Sequence, residues 1–167
     1  MKTKDIATNG LMLSLVIVLA IIENFFPTLP FLPPGVKLGL ANIIIMYSVF
    51  FTNKKQAIFL VIFKSLFVFL TRGFISSSLS FSGGILSIFI IIFFHKLLKE
   101  KISYITLSIL GAVFHNLGQI ITLGIITNNY YIWGYFPILI ISGIIMGTVT
   151  GVVLKAVMPA LKKINNN

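Results

Sequence analysis

Long apolar runs separated by short polar junctions make up nearly all of this chain. The first run covers about 6–26 and stops at Pro27, whose ring removes the next backbone donor. Further runs cover about 36–51, 57–74, 79–98, 104–126 and 136–157. A bilayer core needs roughly 20 apolar residues in helical form, so the pattern predicts six transmembrane helices. The run at 36–51 is short for a span, and the stretch before it carries Pro27, Pro30, Pro33 and Pro34. That stretch is too irregular to cross lipid and too apolar to float in water, which predicts a cap over one mouth of the bundle. Ser76, Ser77, Ser78, Ser80 and Ser82 lead into Gly83-Gly84 and read as a small-residue junction before the fourth helix. Tyr130, Tyr131, Trp133 and Tyr135 make the junction after the fifth helix an interfacial aromatic belt. On the last helix Pro137 sits in the first turn, and Gly143, Gly147 and Gly151 repeat every four residues, a face for close packing.

Charge adds a direction. Lysines fill alternate junctions: Lys2 and Lys4, then Lys54 and Lys55, then Lys96, Lys99 and Lys101, and finally Lys155, Lys162 and Lys163. The positive-inside rule places these junctions and both termini in the cytoplasm of a bacterium, making a multi-pass protein of its plasma membrane. Only 10% of residues are charged and 57% are hydrophobic, against roughly 25% charged in soluble domains. The expected class is therefore an all-α integral membrane protein, with 1–167 as a single transmembrane domain. A net charge of +10 would suggest nucleic acid in a soluble protein. Here the lysines sit at helix ends, where membrane lipid headgroups are the partners and nucleic acid is not. The absence of cysteine excludes disulfides and thiolate sites, and two histidines with three acids argue against a metal centre. No small-residue cleavage motif follows the first run, which reads as a retained helix rather than a signal peptide.

The bases outside the alternation are Lys37, Lys64 and Arg72. Lys37 and Arg72 fall on the outer rim with Glu23, Asn24 and Asn42, either as a paired structural cluster or as a site open to the outside. Two bases against one acid leave a positive remainder suited to a carboxylate or phosphate. Lys64 lies halfway along the third helix, too deep to reach either surface, so it faces the bundle interior as a packing group or a ligand contact. On the fifth helix His115 and Gln119 share a face, with Asn116 beside them. One amide there would be helix–helix glue, whereas three polar groups with Gly118 opening space read as a lined cavity. Catalysis has little to work with. Asp5 is the sole aspartate, no phosphate-binding loop or zinc motif occurs, and no cofactor is expected.

The segment Pro33-Pro34-Gly35-Val36-Lys37-Leu38-Gly39-Leu40-Ala41-Asn42, Lys64, Ser82-Gly83-Gly84 and His115-Asn116-Leu117-Gly118-Gln119 together resemble the Gx transporter family. Its members are often labelled heptaprenyl diphosphate synthase component I. That family is similar to the substrate-binding S-components of energy-coupling-factor transporters. The resemblance implies an S-component-like six-helix bundle that captures a small anionic vitamin or cofactor precursor, such as a flavin or a quinone or isoprenoid precursor. It also implies a transmembrane coupling subunit and two cytoplasmic ATPases as partners. Glu23, Lys37, Asn42, Lys64, Arg72, His115, Asn116 and Gln119 are then the expected ligand contacts, with Glu23 orienting the bases. The alternative is an accessory membrane component of heptaprenyl diphosphate synthesis.

Overall fold

Short polar side chains mark where helices begin. Asn53 accepts from the Lys55 amide (3.1 Å), Ser103 from Thr106 (3.0 Å) and Asn129 from Tyr131 (2.9 Å), each satisfying a donor that the helix itself leaves open. The structure, a computed structural model, describes residues 3–25, 39–98 and 101–166. Within these the helices are α1 (Thr3–Phe25), α2 (Leu40–Phe51), α3 (Lys54–Leu98), α4 (Tyr104–Thr127) and α5 (Phe136–Asn166), with a 3-10 helix over Tyr130–Tyr135. Four helical stretches are long and apolar enough to cross a membrane: Ile6–Glu23, Lys54–Leu98, Tyr104–Thr127 and Tyr130–Ala156. Their outer faces are Ile, Leu, Val and Phe, the surface that a helical bundle presents to lipid.

α3 is 45 residues long, about twice what a bilayer needs, and it does not run straight. At Gly73 the backbone turns through φ 82° and ψ −177°, a conformation open in practice only to glycine. Beyond it the chain folds back on itself. The Ser77 hydroxyl donates to the Ser65 carbonyl at 2.9 Å, and Gly84 lies against Val61. The reversal therefore falls at Gly73, and the serines expected to form a junction are helical instead. The Ser78 and Ser82 hydroxyls lose little in an apolar helix because carbonyls of the preceding turn accept from them, Phe74 from Ser78 at 3.0 Å and Leu79 from Ser82 at 3.3 Å. Nothing stands within 4 Å of a Cβ added at Gly73, so Gly73→Ala carries backbone strain alone. It should cost about 1–3 kcal/mol, read as a lower midpoint of thermal unfolding in detergent.

α2 also begins later than its apolar run. Gly39 is left-handed (φ 78°), which stops the helix at Leu40 rather than at 36; residues 36–38 and the proline-rich cap lie outside the described residues. At 12 residues α2 rises only about 18 Å. Residues 43–49 are all buried, as expected of a helix that is hydrophobic all round and enclosed by neighbours. α5 continues beyond 157 to Asn166.

The glycines spaced by four do make the close face. A Cβ on Gly143, Gly147 or Gly151 would lie 3.0, 2.5 or 2.9 Å from the Cα of Val113, Ile109 or Ile105, so α4 and α5 run antiparallel nearly backbone to backbone. At one end of the bundle Phe50 meets His95 and Tyr104 edge-on, with ring centroids 5.2 and 5.3 Å apart. Those contacts, with Gln56 on Met12 and Gly151 on Ile105, gather Lys54, Lys55, Lys96, Lys101 and Lys155 at that end. Gly73 and Arg72 lie at the opposite end, and Lys64 lies between.

Candidate functional site

Helical spacing decides which side chains meet Lys64. Phe67, Val68, Thr71 and Arg72 follow it at three, four, seven and eight residues, so all five share one face of α3. The same logic on α1 gives a buried stripe of Met12, Val16, Ala20 and Glu23. These faces enclose a cavity of about 50 Å³. Gly39 and Asn42 close it from α2, Ser76, Leu79 and Ser80 from the returning arm of α3, and His115 and Gln119 from α4. It has room for a few ordered waters or one carboxylate- or phosphate-sized group.

Glu23 is only 5% exposed, and its position has a reason. Gly39 has no side chain to cap α2, and the Glu23 carboxylate accepts from the Leu40 N–H instead. A negative group there also meets the positive end of the helix dipole. Asn42 begins the next step: its backbone N–H donates to the Gly39 carbonyl at 2.9 Å, while its side-chain oxygen accepts from Lys64 Nζ at 2.8 Å. Lys64 is 7% exposed, and the Glu23 charge opposes its own. One polar network thus ties α1, α2 and α3 at the cavity wall.

Close packing by glycine sets the α4 side. A Cβ on Gly118 would fall 2.9 Å from Gly83 Cα, and the Ser82 hydroxyl donates to the Gly118 carbonyl at 3.2 Å. Gly83 in turn is covered by the His115 ring, whose Nδ1 has no hydrogen-bond partner among the described residues. Gln119 lies one turn further along the same face and is half-buried. Arg72 is exposed at the rim beside Thr71.

Six of the residues picked out in the sequence therefore line one cavity: Glu23, Asn42, Lys64, Arg72, His115 and Gln119. Asn116 does not join them. Its amide donates to the Leu139 carbonyl (2.9 Å) and lies 3.3 Å from the Ser142 hydroxyl, fastening α4 to α5. Lys37 lies outside the described residues. Phe67, Thr71, Ser76 and Ser80 also line the cavity, and the first two were readable from their spacing after Lys64. Asn116→Ala should lower stability by about 1 kcal/mol, as for other interhelical bonds in membranes, and leave ligand affinity unchanged. Thermal unfolding and a binding isotherm on the same sample check both halves.

The site is rich in donors. Lys64, Arg72, Asn42, Gln119 and the Ser76 and Ser80 hydroxyls line a space whose one carboxylate is already engaged by Leu40, while the Thr71 hydroxyl donates to the Phe67 carbonyl at 3.0 Å. Such a wall suits a ligand group that accepts hydrogen bonds and carries negative charge.

Fold and site together define an all-α bundle of long apolar helices enclosing a small, charge-lined polar cavity. The chain belongs to the family described as heptaprenyl diphosphate synthase component I, whose profile matches residues 12–157. No curated protein and no solved structure matches it.

Proposed function

We propose that this chain is a membrane-embedded binding subunit that captures a small anionic vitamin or cofactor precursor for an energy-coupling-factor-type transporter. The donor-rich cavity with Lys64 buried in its wall carries that reading. The chain crosses the plasma membrane six times, with the two arms of α3 counted as separate spans. The lysine-bearing end and both termini lie in the cytoplasm, and Arg72 and the cavity mouth face outward. The role is binding rather than catalysis, in keeping with a sequence that has three acidic residues in all. A coupling subunit has a place to dock on α1, where Ala7, Gly10 and Ser14 are exposed and nothing stands within 4 Å of a Cβ on Gly10. Two cytoplasmic ATPases supply the energy.

Mass spectrometry of small molecules released from the purified protein tests the reading. It expects a carboxylate- or phosphate-bearing compound of cofactor type, and a cationic ligand would sink it. Arg72→Gln should weaken binding of that compound about tenfold without lowering the unfolding midpoint, because one charge-assisted bond is lost at an exposed rim.

The family description favours a second reading, an accessory membrane component of heptaprenyl diphosphate synthesis. The same donors would then hold a prenyl diphosphate headgroup, with its hydrocarbon passing into lipid along exposed Leu70 and Phe74. A pull-down separates the two. Recovery of ATPases and a coupling subunit supports transport, and recovery of a soluble prenyltransferase supports the alternative.

A further inference from the structure

A second concavity, of about 380 Å³, lies between the end of α4 and the 3-10 helix. One wall is Ile121, Gly124 and Ile125; the other is Asn128, Asn129, Tyr130 and Trp133. Side chains three apart eclipse on a 3-10 helix, so Tyr130 and Trp133 stand on the same side of theirs. Tyr130 is 84% exposed and Ile125 75% exposed, so the concavity opens outward over its apolar floor. Gly124 lies on the floor of the groove, where a Cβ would make an ordinary van der Waals contact with the Trp133 indole nitrogen at 3.8 Å and only a larger side chain would fill the space.

Polarity is graded along this groove. The isoleucines continue the lipid-facing surface of α4, the asparagines follow at its end, and the indole nitrogen lies beside Gly124 between them. The Asn129 oxygen is spent on the Tyr131 amide, which leaves its NH₂ as a donor. None of these lining residues is charged, and Lys54, Lys55, Lys96, Lys101 and Lys155 are all at the other end of the bundle. Arg72 is at this end of the bundle but lines the other cavity, so an anionic headgroup would find no counter-charge among the residues that line the groove. An ammonium group would find two electron-rich ring faces, and its neighbouring phosphate would find amide and indole donors.

From this we infer that the groove is a binding site for a zwitterionic, ammonium-bearing phospholipid. The ammonium rests against Tyr130 and Trp133, the phosphate takes hydrogen bonds from Asn128, Asn129 and the indole, and an acyl chain lies on Ile121 and Ile125. The inference is independent of what occupies the Lys64 cavity.

Trp133 is the single tryptophan of the chain, so its fluorescence reports this groove alone. The protein is reconstituted in bilayers with increasing fractions of brominated phosphatidylethanolamine or brominated phosphatidylglycerol. Phosphatidylethanolamine should reach half-maximal quenching at about a threefold lower mole fraction, the scale of an exposed cation–π contact. Tyr130→Ala removes an exposed ring and should erase the difference, as should Gly124→Leu, which fills the groove. Coincident curves in the wild type would reduce the groove to ordinary annular contact and overturn the proposal. Earlier quenching by phosphatidylglycerol, or a preference that survives Tyr130→Ala, would overturn it too. Tyr130→Ala decides the matter if Gly124→Leu fails to fold.

Discussion

Lys64→Leu is expected to abolish ligand capture and to destabilise the protein by about 3 kcal/mol. The two effects have separate origins. Lys64 donates to Asn42 and opposes the charge of Glu23, and both it and Glu23 are buried. Removing the ammonium leaves a buried carboxylate without its counter-charge and an amide oxygen without its donor, and the first of these dominates. The double variant Glu23→Gln/Lys64→Met removes both charges together and should regain most of the stability, since buried pairs exchange for neutral groups at little net cost. It should not regain binding, because the cavity would still lack its deepest cation. Gln119→Leu provides the complementary case: Gln119 lines the cavity half-buried, so binding falls while the unfolding midpoint holds. Unfolding in detergent and uptake into cells are the two measurements. Wild-type uptake in both Lys64→Leu and Gln119→Leu would remove the cavity from consideration as the binding site.

Gly147→Leu should be the most damaging single change on α5. A Cβ at this position falls 2.5 Å from Ile109 Cα and 2.9 Å from the Ser108 carbonyl oxygen. Both neighbours are backbone, so no side-chain rotation relieves the overlap and α4 and α5 must separate. Separation also loosens the contacts at Gly143 and Gly151 and the Asn116 bond to Leu139. Overpacking of a core usually costs about 1–3 kcal/mol, and three linked contacts put this case at or above the upper end. Gly10→Leu is the control: it enters open space on α1 and should leave the unfolding midpoint unchanged. A normal midpoint for Gly147→Leu would mean that this interface is looser than described.

Which parts of this were legible in the sequence follows from the range of each interaction. Lys64, His115 and Gln119 were readable because a polar side chain in an apolar run has to face inward, and helical spacing says which neighbours go with it. The α5 glycines were readable for the same reason. The reversal in α3 was not. Five serines look like a junction, yet they are helical: Ser78 and Ser82 donate to carbonyls one turn back, Ser77 donates across to Ser65, and the break rests on the dihedrals of one glycine, Gly73. Glu23 was legible as a partner for bases but not as the cap of α2, because Leu40 is 17 residues away and the pairing exists only once α1 and α2 meet. Asn116 and His115 are adjacent, and nothing in the local pattern told which would turn to the cavity and which to α5.

The glycine ladder between α4 and α5 has a mechanical consequence. Its rungs are four residues apart, close to one helical turn, so sliding α5 by a turn would set Gly143 against Ile109 and Gly147 against Ile105. Two of the three rungs survive such a step, whereas rotating α5 about its axis destroys them all. The groove alone therefore specifies the rotational phase of the two helices much better than their axial offset. The offset is held by Leu139, which the slide would drive into the Val113 backbone, and by the Asn116 amide bonded to the Leu139 carbonyl. Asn116 acts as the pawl of a ratchet whose teeth are glycines.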